Sequence, residues 1–445
     1  MELTDLFLAP LYLALYYGLA LWVRPMVTNV YTKPYFIPAL TLKFVGAISL
    51  GLIYQFYYGG GDTFNYFVHT KVINQAFSES PSLGWKLLTA TDYDPAVGRY
   101  IARMFWFYAK TEYFVVRIAA FIGLFCFNNY SVMALTFALI SFSGIWAMYI
   151  TFARIYPAAY KELAIAVFFL PSVFFWGSGL MKDSLCMGAL GWVFYGFYHL
   201  FIERRSIVLS VVMGGLGMYL LVMVKVYILM SFLAPGLLWV FNENNRRIKN
   251  ATTRMLLKPI FLGIGVVVGV VGATNLTAGD ERFDVENIGE RTKINQTALY
   301  ERARDKGSGY NVGTIDGSVG SILRVAPQAV VVSLYRPFLW EARNPVMMLS
   351  ALEALWFTVV TVRIFARTGF IRTLRLIASQ PLVTLCFIFS IIFAIGVGTN
   401  SGNFGTLVRY KIPLMPFYAA GLYVLQAEAN KLKRPTRTRR TALSA

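Results

Sequence analysis

The feature that most constrains this chain is the spacing of its charges, which leaves window after window of about twenty residues almost without one. A helix crossing a hydrocarbon core of about 30 Å at about 1.5 Å per residue needs about 20 mostly apolar residues. We read such spans at 4–22, 38–57, 131–151, 162–178, 184–202, 206–223, 227–242, 259–277, 346–365, 377–397 and 408–427. The expected fold is therefore an all-α, polytopic integral-membrane helical bundle of about 11 spans, arranged as one transmembrane domain over residues 1–445. The first window is not expected to be a cleaved signal peptide, because Glu2 and Asp5 stand where a basic n-region would lie.

Only 14% of the residues are charged, against roughly 25% in soluble domains, yet the formal net charge is +19. In a soluble protein that excess would suggest nucleic acid. Here its position accounts for it. The short connections on one side hold 21 basic residues, from Arg24 and Lys33 to the tail at 428–445, against four acids. Two long segments on the other side, 59–130 and 278–345, are balanced, with six Lys/Arg against five acids and nine against nine. The positive-inside rule puts the basic set and the C-terminal tail in the cytoplasm, and the two long loops and the N-terminus outside. This predicts a multi-pass membrane protein whose partners include membrane lipids and no nucleic acid.

Residues 113–128 are apolar enough to span, but counting them would invert everything before them. They are read as a re-entrant or surface-lying helix, with a twelfth span as the alternative. Just before them, AVGRYIARMFWFYAK would set Arg99, Arg103 and Lys110 on one helical face and Ile101, Met104, Phe105 and Tyr108 away from it, which suits the headgroup layer. Packing on the bundle surface would give the same pattern.

Four places put polar groups at the outer boundary. Gly59-Gly60-Gly61-Asp62 follows the second span, where glycines permit a sharp turn and deliver a carboxylate to the surface. A turn with Asp62 as helix N-cap would explain it equally. Lys182 and Asp183 lie in the hairpin after Pro171, where charges are costly unless paired or solvated; they could bind a ligand or merely mark the tip. Lys225 interrupts LLVMVKVYILM at the outer turn of a short hairpin, from which it could also snorkel to water. Finally, GTNSGNFGT leads into LVRYKIPLMP, where small residues with Arg409 and Lys411 suit a phosphate, which an arginine binds bidentately. Cys126, Cys186 and Cys386 lack metal or disulfide spacing, and no P-loop, GxSxG or HExxH occurs. No cofactor or metal site is identified, and a divalent metal requirement stays open.

An outer Asp just after a span (Gly61-Asp62), an apolar helix ending at Pro171 followed by Asp183, and a late Arg409 near prolines together resemble the GT-C class of membrane glycosyltransferases. The arrangement is similar to the family-39 mannosyltransferases and lipid A aminoarabinose transferases. The PSVFFWGSGLMKDS and GTLVRYKIP segments resemble uncharacterised bacterial envelope proteins more closely. The resemblance implies a hexosyltransferase-type enzyme that moves a sugar from a polyprenyl-phosphate carrier to an envelope glycan or lipid acceptor on the outer face. It implies Asp62 as the general base, and Arg409, with Lys411 or Lys225, as partners of the lipid phosphate. Lys182 and Asp183 would bind sugar or acceptor. Many members carry a second acid beside the first; here Thr63 follows Asp62, and the nearest other acids of that loop are Asp92 and Asp94. An O-antigen polymerase or ligase is the alternative enzyme, and a transporter, flippase or structural membrane subunit the alternative class. Charges well inside the spans are few, Lys43 and Glu353, which argues against a transport path.

Overall fold

The computed structural model describes residues 3–245, 288–304 and 308–433. The expected span 259–277, the basic stretch 246–258 and most of the 428–445 tail lie outside the described residues. Among the described residues the chain is helical, with no named strand and a single isolated bridge, Gly309 to Asn403. Seven helices among the described residues are long and apolar enough to cross a membrane.

In chain order the helices are α1 (Asp5–Val27), α2 (Lys33–Leu52, continued by a π turn Ile53–Tyr57), α3 (Asp62–Glu79), α4 (Pro81–Thr89), α5 (Gly98–Ile101), α6 (Lys110–Phe125), α7 (Tyr130–Ile155), α8 (Tyr160–Phe168), α9 (Pro171–Trp176) and α10 (Lys182–Phe197, continued by a π turn Tyr198–Glu203). They continue with α11 (Ile207–Asn245), α12 (Ile288–Arg304), α13 (Val319–Tyr335), α14 (Pro345–Thr368), α15 (Phe370–Ser379), α16 (Pro381–Ser401), α17 (Phe404–Tyr410) and α18 (Met415–Lys433). Starts are set locally. Asn129 accepts from the Val132 N–H at 3.0 Å, Asn344 from Met347 at 2.8 Å and Asn403 from Thr406 at 2.8 Å, each satisfying a backbone donor that the helix itself leaves free.

α7 and α10 form the buried centre. A methyl group at Gly144 would stand 1.9 Å from the Gly188 carbonyl oxygen, and one at Gly191 would stand 2.0 Å from that of Gly144. The two backbones touch because these three residues lack side chains, a means of association suited to helices in lipid. α11 packs beside α10, and its largely apolar 38-residue stretch would measure about 57 Å if straight, nearly twice the bilayer core. It is not straight. Lys225 leaves helical geometry, with φ −148° and ψ 74°, and Gly214 and Gly236, eleven residues to either side, both reach the Gly196–Phe197 region of α10. α11 is thus a folded-back pair of limbs that matches the two windows expected at 206–223 and 227–242.

Other expectations need correction. The span expected at 162–178 is two short helices, because Pro171 has no N–H to donate and holds Leu170 extended. The span expected at 408–427 is divided into α17 and α18 by a turn at Lys411–Leu414, which contains Pro413. The helix expected over 96–110 shrinks to α5 and a series of turns. There Ile101 and Met104 are buried while Phe105 and Tyr108 are exposed, so the four do not share a face. Arg99 pairs instead with Glu79, and Arg103 donates to Gln75, both on α3.

Contacts sort the helix ends into two groups. At one end, Arg24 donates to the Lys33 carbonyl, Trp146 to that of Val27, Arg154 pairs with Glu203, and Tyr156 reaches Gln380. At the other, Asn129 reaches Thr4, Thr63 bonds Tyr130, and Lys182 pairs with Glu112 at 2.9 Å. Both ends of α6 belong to this second group, through Glu112 and through Asn129 just beyond it. The C-terminal end of α6 also meets α1, where the Tyr12 hydroxyl donates to the Phe125 carbonyl at 2.5 Å.

Candidate functional site

The second group of helix ends encloses a cavity of about 430 Å³. Its acidic member comes from the Gly59-Gly60-Gly61 turn, in which all three glycines have positive φ. At Gly61, φ is +134° and a methyl group would stand 2.6 Å from the Tyr54 ring, so the turn closes only without a side chain there. Asp62 begins α3 immediately afterwards, with its side chain 44% exposed.

Arg409 reaches the cavity from α17, over three hundred residues away in sequence. Its Nη1 donates to Asp62 Oδ2 at 2.6 Å and its Nε to Asp183 Oδ2 at 2.6 Å. Asp183, in the first turn of α10, is 2% exposed, and its other oxygen accepts from Lys225 Nζ. Lys225 also lies 4.9 Å from the centre of the Tyr410 ring. Two carboxylates and two cations thus form one network with no net formal charge: a buried half, Asp183 with Lys225, braces Arg409, while Asp62 opens to the cavity. Only two of the five guanidinium N–H donors engage these acids, so the rest can serve an oxyanion.

Aromatic rings and small polar groups complete the walls. Tyr54 comes from the π turn after α2 and Tyr58 from the residue that follows it, and Tyr54 meets Trp176 edge-on with centroids 6.3 Å apart. Asn344, Asn403 and Thr406 add amides and a hydroxyl. Trp176 is placed by α9, and that six-residue helix explains both intramembrane charges. Glu353 accepts from the Ser172 N–H at 2.8 Å and from its hydroxyl, at the N-terminus of α9. Lys43 donates to the Gly177 carbonyl at 2.5 Å, at its C-terminus, and to Ser141 Oγ at 3.1 Å. Each charge meets the end of opposite partial charge and satisfies groups left by the chain break.

The sequence-expected residues divide accordingly. Asp62, Asp183, Lys225 and Arg409 converge. Lys182, although adjacent to Asp183, faces Glu112 on α6; burial would push the Glu112 carboxyl up, but the Lys182 ammonium and Thr111 hydroxyl outweigh it and bring it down to about 2. Lys411 is buried and donates to the Arg336 carbonyl at 3.1 Å, behind the cavity wall. Asp94 caps the turn at Pro95 by accepting from Ala96 N–H at 2.8 Å and pairs with Lys86 at 3.4 Å, while Asp92 accepts from Thr91. Neither joins the cavity. Sequence reading missed Tyr54, Trp176 and Asn344 as lining residues. Only Asn344, directly before Pro345 at a span start, carried a local signal. Among the described residues no three His, Cys, Asp or Glu side chains gather as a metal site would require.

No family model, curated protein or solved structure matches this chain.

Proposed function

We propose that the chain is a membrane glycosyltransferase of GT-C type, taking a sugar from a polyprenyl-phosphate carrier to an envelope glycan or lipid acceptor at the outer face of a bacterial inner membrane. The observation that carries this reading is the network of Asp62, Asp183, Lys225 and Arg409, from four separate parts of the chain, of which Asp62 and Arg409 line one aromatic-walled cavity at the helix ends while Asp183 and Lys225 brace Arg409 from behind. Aromatic faces suit a sugar ring, and a braced arginine suits a phosphate. In the reaction, an acceptor hydroxyl oxygen bonds to the anomeric carbon of the sugar. The bond from that carbon to the phosphate oxygen breaks, with the electron pair leaving on the phosphate. Arg409 stabilises the charge that develops there, and Asp62 receives the hydroxyl proton.

Asp62 holds Arg409 in the resting protein, and a phosphate on the remaining guanidinium N–H groups shares that positive charge and weakens the hold on Asp62. Arrival of the carrier phosphate releases the carboxylate as a base, which links donor binding to activation. Lys43 and Glu353, each satisfied at an end of α9, do not mark a transport path. The test uses the purified full-length protein in liposomes with undecaprenyl phosphate as probe. Asp62→Asn is expected to bind the probe about fivefold tighter, because a half-buried ion pair worth about 1 kcal/mol no longer draws on the guanidinium charge. The same substitution is expected to abolish sugar transfer in membranes supplied with lipid-linked sugars. Undiminished transfer would refute the role of Asp62. Accumulation of single repeat units in a deletion strain would move the reading to a polymerase or ligase.

A further inference from the structure

The bundle end opposite the Asp62 cavity carries a second recess. α14 starts at the first cavity, through Asn344 and Met347, and its last turns, 23 residues on, line a separate cavity of about 110 Å³. The length between them is about 35 Å of helix, enough to cross a bilayer. Arg363 and Arg367 stand one turn apart on α14, and Gln426 and Asn430 one turn apart on α18, all lining this recess. Thr368 lines it too, and its Oγ1 is buried with no hydrogen-bond partner among the described residues. Among the described residues no acidic side chain contributes to the walls. Two arginines at i and i+4 repel one another unless an anion lies against both.

The next helix fixes the depth. Gly369, at φ +82°, turns the chain into α15, on which Phe370 and Ile371 are 66% and 67% exposed and Leu374 46%. Helical spacing sets those three side chains on one arc and Arg372, Arg375 and Ser379 on another. An exposed apolar arc beside a basic one places a helix in the layer between hydrocarbon and headgroups. The recess, whose Thr368 lies two residues before α15, therefore opens at headgroup level.

We infer that this recess binds the phosphate of an anionic phospholipid, held by Arg363 and Arg367, with Thr368, Gln426 and Asn430 donating further hydrogen bonds. This site is independent of the one proposed for sugar transfer. The test embeds the full-length protein in phosphatidylcholine nanodiscs, titrates phosphatidylglycerol, and reads retained lipid by native mass spectrometry. The wild-type protein is expected to retain phosphatidylglycerol selectively. Arg363→Gln with Arg367→Gln is expected to lose about thirtyfold of that selectivity, from about fivefold per arginine. Arg372→Gln with Arg375→Gln tests diffuse surface charge, and an equal loss there would overturn the inference. So would displacement of the lipid by millimolar inorganic phosphate, which would make the recess a free-phosphate site. If the first variant does not purify, Thr368→Val takes its place, with an expected loss of about fivefold. Retention unchanged in that variant would overturn the inference.

Discussion

Replacing Asp183 by Asn keeps the shape of the side chain and leaves a neutral network with one uncompensated positive charge. Asp183 is 2% exposed, and its partners Lys225 and Arg409 are 5% and 11% exposed, so water does little to compensate. At an effective dielectric constant of about 20, opposite charges about 4 Å apart attract by roughly 4 kcal/mol, and two such attractions vanish together. Asp183 no longer needs desolvation, which offsets part of that. Removing one partner from a buried ion pair costs about 3 to 5 kcal/mol, and that is the expected loss of stability. Most of it reflects the two cations left facing a neutral amide. Adding Lys225→Met takes one of those cations away, while Arg409 still has Asp62 at 2.6 Å. The double variant should therefore recover at least about 1.5 kcal/mol relative to the sum of the single effects. The assay is equilibrium unfolding in mixed micelles, followed by tryptophan fluorescence. An Asp183→Asn protein within about 1 kcal/mol of wild type, or strictly additive single effects, would refute the view that these residues form one braced unit.

Three further outcomes follow from local geometry. Gly61→Ala must hold a side chain at φ +134° against the Tyr54 ring, and should cost about 1 to 3 kcal/mol and weaken ligand binding at the cavity, as read by thermal unfolding and probe titration. Gly144→Ala meets backbone, not a movable side chain, and should separate α7 from α10, lowering the yield of folded protein in size-exclusion profiles far more than Gly18→Ala, which meets nothing within 4 Å. His69 is buried against Phe105 and Trp106 with neither ring nitrogen bonded, and burial lowers its pKa from 6.5 to about 4. The unfolded chain takes up a proton below pH 6.5 and the folded chain does not until about pH 4, so stability falls across that window as pH decreases. The loss should reach about 3 kcal/mol, and His69→Phe should flatten that part of the pH profile measured by thermal unfolding.

Much of the site was legible, for a reason specific to membranes. A charge beside an apolar window is costly, so Asp62, Asp183, Lys225 and Arg409 stood out individually at span boundaries. Adjacency in sequence misled where the helix turned neighbours apart. Lys182 and Asp183 point to different partners, and Lys411, two residues after Arg409, turns behind the wall to Arg336. Tyr54 and Trp176 were hidden among many aromatic residues, because their place depends on a π turn and on a broken helix held by Glu353 and Lys43.

Hydropathy along the chain by itself determined that this protein is a helical membrane bundle, where most apolar helices lie, and that the excess positive charge gathers in the short connections between them. These are one-dimensional properties, since the cost of placing a charge or an unsatisfied amide in hydrocarbon depends on the segment alone. Tertiary structure decided which boundary charges meet, that α11 folds back so that Lys225 arrives at Asp183, and that one arginine joins two acids. Those outcomes rest on packing between residues far apart in sequence, such as the glycine contact of α7 with α10, and no local pattern encodes them.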